Sequence, residues 1–314
     1  MKENNENWER DALKQIATAQ ITEQRRARRW GIFFKFLTFI YLFAILALIK
    51  FDLDTDDLSG ETKKHTAVVD VKGVIASNTE ASAEKVIKSL KAAFKDEKTA
   101  GVIVRINSPG GSPVQSNYIY QEMQRLRKEY PKIPLYAVVT DLCASGGYYI
   151  AVGAEKIFVD KSSLVGSIGV IMSSFGFVNT LEKLGVERRL FTAGENKGFL
   201  DPFSPKKDEE VNHIKGVLGN LHENFIQVVK EGRGDRLQLS NEKLFSGFIW
   251  AGEEAIKLGL VDEISNTQKV AKELIKAEKL VNFTPRRDVF ERMAERVSMM
   301  VTEWMMFAHF GATP

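Results

Sequence analysis

The chain has 314 residues, 44% of them hydrophobic and 27% charged, ordinary globular values that exclude a largely disordered chain, a collagen-like repeat and a polytopic membrane protein. Its 44 Lys and Arg against 41 Asp and Glu leave a net charge of only +3, so no bulk basicity points to nucleic acid. The single cysteine, Cys143, and four histidines exclude a disulfide framework and a Cys-rich zinc module, and leave little for a His-rich metal site.

The first strong feature is the run Trp30–Ile49, WGIFFKFLTFIYLFAILALI. Twenty helical residues match the roughly 30 Å of a bilayer's hydrocarbon core. Lys35, its one charge, sits near an end where its stem reaches the interface. A buried core helix is not expected to be apolar on every face over this length. A cleaved signal peptide would have a shorter apolar region and a small-residue cleavage site, where this run ends Leu48-Ile49-Lys50-Phe51. An uncleaved anchor over residues 30–50 is therefore expected. Arg25, Arg26, Arg28 and Arg29 precede it, whereas Asp52, Asp54, Asp56 and Asp57 follow. That asymmetry places residues 1–29 in the cytoplasm and the remainder in the periplasm or on the extracytoplasmic face.

Residues 51–65 are polar and acidic and read as a tether. Strand and helix patterns then alternate. Strands are expected at Val68–Val71, Val102–Ile106, Leu135–Val139, Lys156–Val159, Ile168–Met172 and Glu187–Phe191. Helices are expected at Ala81–Phe94, Val114–Tyr130 and Glu209–Lys230. The alternation points to one α/β domain over residues 66–283, with helices covering a mostly parallel sheet. In the tail, residues 284–314, Phe290, Met293, Val297, Met300, Val301, Trp304 and Phe307 fall at helical spacing. An amphipathic helix is expected there, packed on a partner, on its own domain or on a membrane surface.

Two glycine loops follow predicted strands: Asn107-Ser108-Pro109-Gly110-Gly111-Ser112 and Ala144-Ser145-Gly146-Gly147-Tyr148. Paired glycines let a backbone approach a ligand and turn N–H groups toward an anion, either a phosphate or the oxyanion of acyl transfer. Neither loop carries a phosphate-binding glycine pattern. Either alone would be an ordinary tight turn, but the pair, with Ser145 at a strand-to-helix junction, points to a nucleophile. Such a serine needs a base. His65 falls in the tether and His309 near the C-terminus. His213 and His222, nine residues apart on one helix, face opposite ways and read as surface or interface residues. A lysine serves instead where burial favours its neutral form. Lys197, among glycines after a predicted strand, is one lead, although its spacing alone suits a solvated loop. Cys143 reads as a packing residue.

At these residues the chain resembles the S49 peptidase family, the signal peptide peptidase A group, in its short, single-domain, membrane-anchored form. The resemblance covers roughly residues 66–265. Besides the two glycine loops it includes Gly166-Ser167-Ile168-Gly169-Val170, the Lys197 loop leading to Asp201-Pro202-Phe203-Ser204-Pro205, Gly247-Phe248-Ile249-Trp250-Ala251-Gly252 and Gly259-Leu260-Val261-Asp262. It implies a Clp protease/crotonase-like α/β fold and a serine–lysine dyad needing no metal or cofactor. Ser145 takes the place of the nucleophile, Lys197 of the base and Ser167 of the group orienting the lysine. Gly110 and Gly146, with Gly111 beside them, take that of the oxyanion-hole donors.

The resemblance further implies a homo-oligomer, eight copies for the short form, with serine and lysine contributed by adjacent subunits. It implies a single-pass protein of the bacterial inner membrane that cleaves signal-peptide remnants and misfolded secreted proteins. Two rivals stand beside it: a crotonase-type acyl-CoA enzyme, expected to be soluble and to use carboxylates, and a membrane-tethered scaffold of the same fold without activity.

Overall fold

A computed structural model describes residue 18, residues 22–44 and residues 64–285. The chain divides into two units, residues 1–62 and 63–314. In the first, residues 22–44 form a helix, α1. The expected membrane anchor is not supported, because no helix among the described residues is long and apolar enough to cross a bilayer. The physical reason is where the charges fall: any stretch of α1 of spanning length takes in Arg28 and Arg29 as well as Lys35. Residues 45–50 lie outside the described residues. This corrects the transmembrane helix of the expected fold, the membrane-anchored form of the family, the bilayer as a partner and the inner-membrane placement with its periplasmic domain.

The second unit is built on near-continuous β-branched runs, the pattern of strands buried on both faces of a parallel sheet. Strands β1 (His65–Lys72), β2 (Thr99–Ser108) and β3 (Leu135–Ala144) form its centre. They are joined by β4 (Lys156–Val159), β5 (Leu164–Gly166), β6 (Ile249–Ala251), β7 (Glu263–Ile264) and β8 (Leu280–Asn282). The order is β6-β5-β3-β2-β1-β8, with β4 pairing both β3 and β7. Every pairing is parallel except β5 with β6. β3 is thus shared, its first half paired with β4 and its last three residues with β5.

Helices α2 (Ala83–Lys95), α3 (Pro113–Glu129) and α4 (Gly146–Ala151) belong to the main core, where Val86, Leu90, Phe94, Ile119 and Met123 meet Val69, Val104 and Val139. A smaller core holds Ile103, Val138 and Phe158 with Val270, Ala271 and Ile275. The last three lie on a helical turn after α8 (Thr267–Lys269), and α5 (Val178–Lys183) and α7 (Gly252–Lys257) complete the shorter helices. The long helix α6, Asp208–Arg233, opens on Asp208, Glu209 and Glu210 and closes on Lys230 and Arg233, charges that suit the two ends of its dipole.

Most predicted elements fall where expected, with two exceptions. Residues 168–172 and 187–191 are not strands. The chain leaves the sheet at Ser167, and Leu190 and Phe191, the latter 90% exposed, have no strand beside them among the described residues. His65, expected in the tether, is buried and opens β1. The tail helix lies outside the described residues from residue 286 onward.

The closing segment is held by a buried charge cluster. Arg233, 1% exposed, grips both Asp262 oxygens at 2.7 and 3.0 Å, and Arg236 adds a third contact at 3.0 Å. Burial works to raise the Asp262 carboxyl, but the Arg233 hydrogen bonds and charge, the Ile157 N–H and Arg236 outweigh it and hold it below the usual carboxylate range. Its stabilisation is therefore complete above the unfolded-state value of about 4 and lost as pH falls through the lowered folded-state value. Asp262→Asn strips the buried guanidinium of its counter-charge and is expected to destabilise by about 3 kcal/mol at neutral pH. In chemical denaturation the gap to wild type should close below about pH 4.

Candidate active site

Ser145 sits at the junction between β3 and α4 with φ +53° and ψ −122°. A non-glycine residue held there stores roughly 1–3 kcal/mol of strain. It is kept in place by its own N–H, which donates to the Gly166 carbonyl at 2.8 Å, while its carbonyl accepts from Tyr149 N–H at 3.0 Å. Ala144 pairs with Gly166 across β3 and β5. The residues that follow, Ser145 and Ser167, thus leave neighbouring parallel strands side by side. Ser167 also has positive φ, +51°, and its N–H donates to the Phe248 carbonyl at 2.7 Å. Carboxyl ends of parallel strands are where open α/β sheets place their sites.

The first glycine loop closes on the same spot. Gly110 and Gly111 have φ +97° and +149°, a region that favours glycine. A Cβ on Gly110 would meet Gly146 N at 2.7 Å and Ser145 Cβ at 2.8 Å, whereas one on Gly111 would run into the Ile75 carbonyl. The loop is framed by hydrogen bonds from Ile75 N–H to the Gly110 carbonyl and from Ser112 N–H to the Ile75 carbonyl. Gly110 N–H donates to Ser108 Oγ at 3.1 Å, and Ser108 Oγ donates in turn to the Gly73 carbonyl at 2.6 Å. Among the described residues, the N–H groups of Gly111 and Gly146 have no acceptor. Of the three glycines expected as oxyanion donors, Gly110 thus has its N–H occupied, and Gly111 and Gly146 have theirs to offer.

Lys197 lies elsewhere. It is exposed, in a turn where its N–H donates to the Gly194 carbonyl, and no hydrogen bond joins it to Ser145 or Ser167 within one chain. The turn is fastened to the start of α6: Leu200 N–H donates to Glu210 Oε2 at 3.2 Å, and Phe199 meets His213 edge to face at 5.7 Å. The Ser167 loop is fastened to the same helix at His222, whose Nε2 lies 3.0 Å from the Ile168 carbonyl. Glu210 and His222 are separated by about 18 Å along α6, against a lysine reach of roughly 6 Å. A cleft of ≈1030 Å³ lies beside the Lys197 turn, lined by Phe175, Leu190, Glu195, Leu200, Ile214 and Leu218 among others. Neither serine nor any of the three glycines lines it.

Cys143 is buried, and burial pushes its thiol up, away from the reactive thiolate. Among the described residues no group of three or more His, Cys, Asp or Glu side chains could hold a metal ion. The residue that sequence reasoning passed over is His222. Its half-turn offset from His213 was the available sign, since opposite faces of a helix can both be contact faces.

Comparison with known proteins bears on the family. The model of peptidase family S49 matches residues 127–281 and that of Clp protease residues 65–165. A putative signal peptide peptidase, SppA, of Enterococcus faecium is 33% identical over 72% of this chain and 67% of its own length. The chain belongs to peptidase family S49. The α/β fold is accordingly of the Clp protease kind, and the expectation of a serine peptidase accords with the family.

A protein of Brucella abortus named Na(+)/H(+) antiporter NhaA is 41% identical over 71% of this chain. The chain spans about a third of that relative's length, 30%. A solved membrane-bound stomatin-specific protease, as a serine-to-alanine variant, covers 71% of this chain and 99% of its own at 16% identity and a TM-score of 0.43. At that level it carries no argument.

The close approach of the two loops makes Gly110 the point at which the site is most easily broken. Gly110→Ala forces Gly146 N and Ser145 apart from the first loop. It is expected to slow labelling of Ser145 by a fluorophosphonate by about a hundredfold or more.

Proposed function

We propose that the protein is a serine endopeptidase in which Ser145 is the nucleophile, Lys197 the base and Ser167 the group that orients the lysine, with the N–H groups of Gly111 and Gly146 as the oxyanion hole. The observation that carries this reading is the convergence of a strained Ser145 with two glycine loops, two of whose N–H groups have no acceptor among the described residues. Lys197 Nζ takes the proton of Ser145 Oγ as the oxygen attacks a peptide carbonyl carbon. The oxyanion of the tetrahedral intermediate rests on the two N–H groups, each worth about 3–4 kcal/mol in the transition state. The lysine then returns its proton to the leaving amine, and water hydrolyses the acyl-enzyme.

The separation of Lys197 from both serines within one chain supports a base supplied by a neighbouring copy. The apolar surface around the lysine turn, with Ile171, Phe175 and Phe191 exposed, suits burial against another subunit. The rival acyl-CoA chemistry loses its footing with membership of a peptidase family. The name of the Enterococcus faecium relative makes signal peptides the first substrates to test, alongside short apolar peptides.

Ser145→Ala and Lys197→Ala should each abolish cleavage of a fluorogenic apolar peptide while leaving the assembly intact. Co-expression of the two inactive variants then discriminates the arrangement. Random mixing of copies should restore about a quarter of wild-type activity if serine and lysine come from different subunits, and none if they come from one. A Ser145→Ala protein that cleaves like wild type sinks the assignment.

A further inference from the structure

We propose that His222 is a positioning residue of this site, holding the Ser167 loop at the height where Ser167 meets the lysine; the inference rests on the dyad proposed above. Ser167 is framed by three hydrogen bonds. Two are backbone contacts from neighbouring segments, Ser145 N–H to the Gly166 carbonyl at 2.8 Å and Ser167 N–H to the Phe248 carbonyl at 2.7 Å. The third comes from a side chain, His222 Nε2 to the Ile168 carbonyl at 3.0 Å. A carbonyl only accepts, so Nε2 carries the hydrogen, and the bond forms whether the ring is neutral or cationic.

The position of this third bond gives it weight. Ile168 is fully buried, yet residues 171–177 are all exposed. His222 therefore ties the chain just before it departs from the core. A left-handed Ser167 has no regular element on its downstream side to hold its φ, and the histidine supplies the missing restraint.

The restraint is anchored in turn. Phe225, one helical turn beyond His222 and on the same face, is 4% exposed and packs against Tyr149 with ring centroids 5.1 Å apart. Tyr149 belongs to α4, the helix that begins directly after Ser145. Through His222 and Phe225, adjacent turns of α6 hold the loop of one serine and the helix of the other. The distance between the two hydroxyls is then fixed by a rigid element, as general-base catalysis requires.

The test uses the full chain and the variants His222→Leu, His222→Asn and His222→Gln, with Ser145→Ala as control. The measurements are kcat, KM, fluorophosphonate labelling rate and thermal midpoint. Glutamine can place an amide N–H near the same carbonyl, whereas asparagine falls short and leucine has no donor. His222→Leu and His222→Asn should lower kcat and labelling about tenfold with KM within about twofold, and His222→Gln should recover to within about threefold of wild type.

Wild-type kcat in His222→Leu overturns the inference, as does a loss that follows the thermal midpoint equally in all three variants. If His222→Leu does not fold, the Gln and Asn pair decides alone, and equal activity of the two overturns it. Cleavage retained by Ser145→Ala removes the dyad and this inference together. Cleavage lost in Ser145→Ala but unchanged by every His222 variant removes only the role of His222.

Discussion

One hydrogen bond sets the frame for this site, that from the Ser145 N–H to the Gly166 carbonyl at the end of the β3–β5 pairing. It fixes the register in which two strands release their chains together, and so brings two serines out of the sheet side by side. Both residues take φ values that L-amino acids avoid. The strain of two such residues, roughly 2–6 kcal/mol together, is carried by the packing beneath them. Cys143, Val165 and Ile168 are all fully buried. β3 serves this geometry by changing partners: β4 supports its beginning and β5 its end, so its last residues are lined by the strand that carries the second serine.

Much of this was legible because the chemistry is local. The β-branched runs that became β1, β2 and β3 bury both faces in a parallel sheet, an environment that suits so continuous an apolar pattern. The glycine loops were legible because a backbone that must approach another backbone closely excludes a side chain, as Gly110 does beside Gly146. Less was visible where an outcome depends on a neighbour. Residues 168–172 and 187–191 have β-branched or apolar residues, but among the described residues no strand lies beside them. His213 and His222 do face different surroundings, as their spacing implies, but each meets a loop of the site rather than solvent alone.

The apolar run after residue 30 shows the same limit from another side. Its composition suggested a bilayer, yet the described helix places arginines within any span of sufficient length.

The helix α6 meets the lysine turn near its start and the serine loops in its second half. If each lysine serves an adjacent copy, every α6 is a strut between two active centres, the one its subunit completes and the one its subunit houses. A displacement at either end is then carried along about 18 Å of helix to the other.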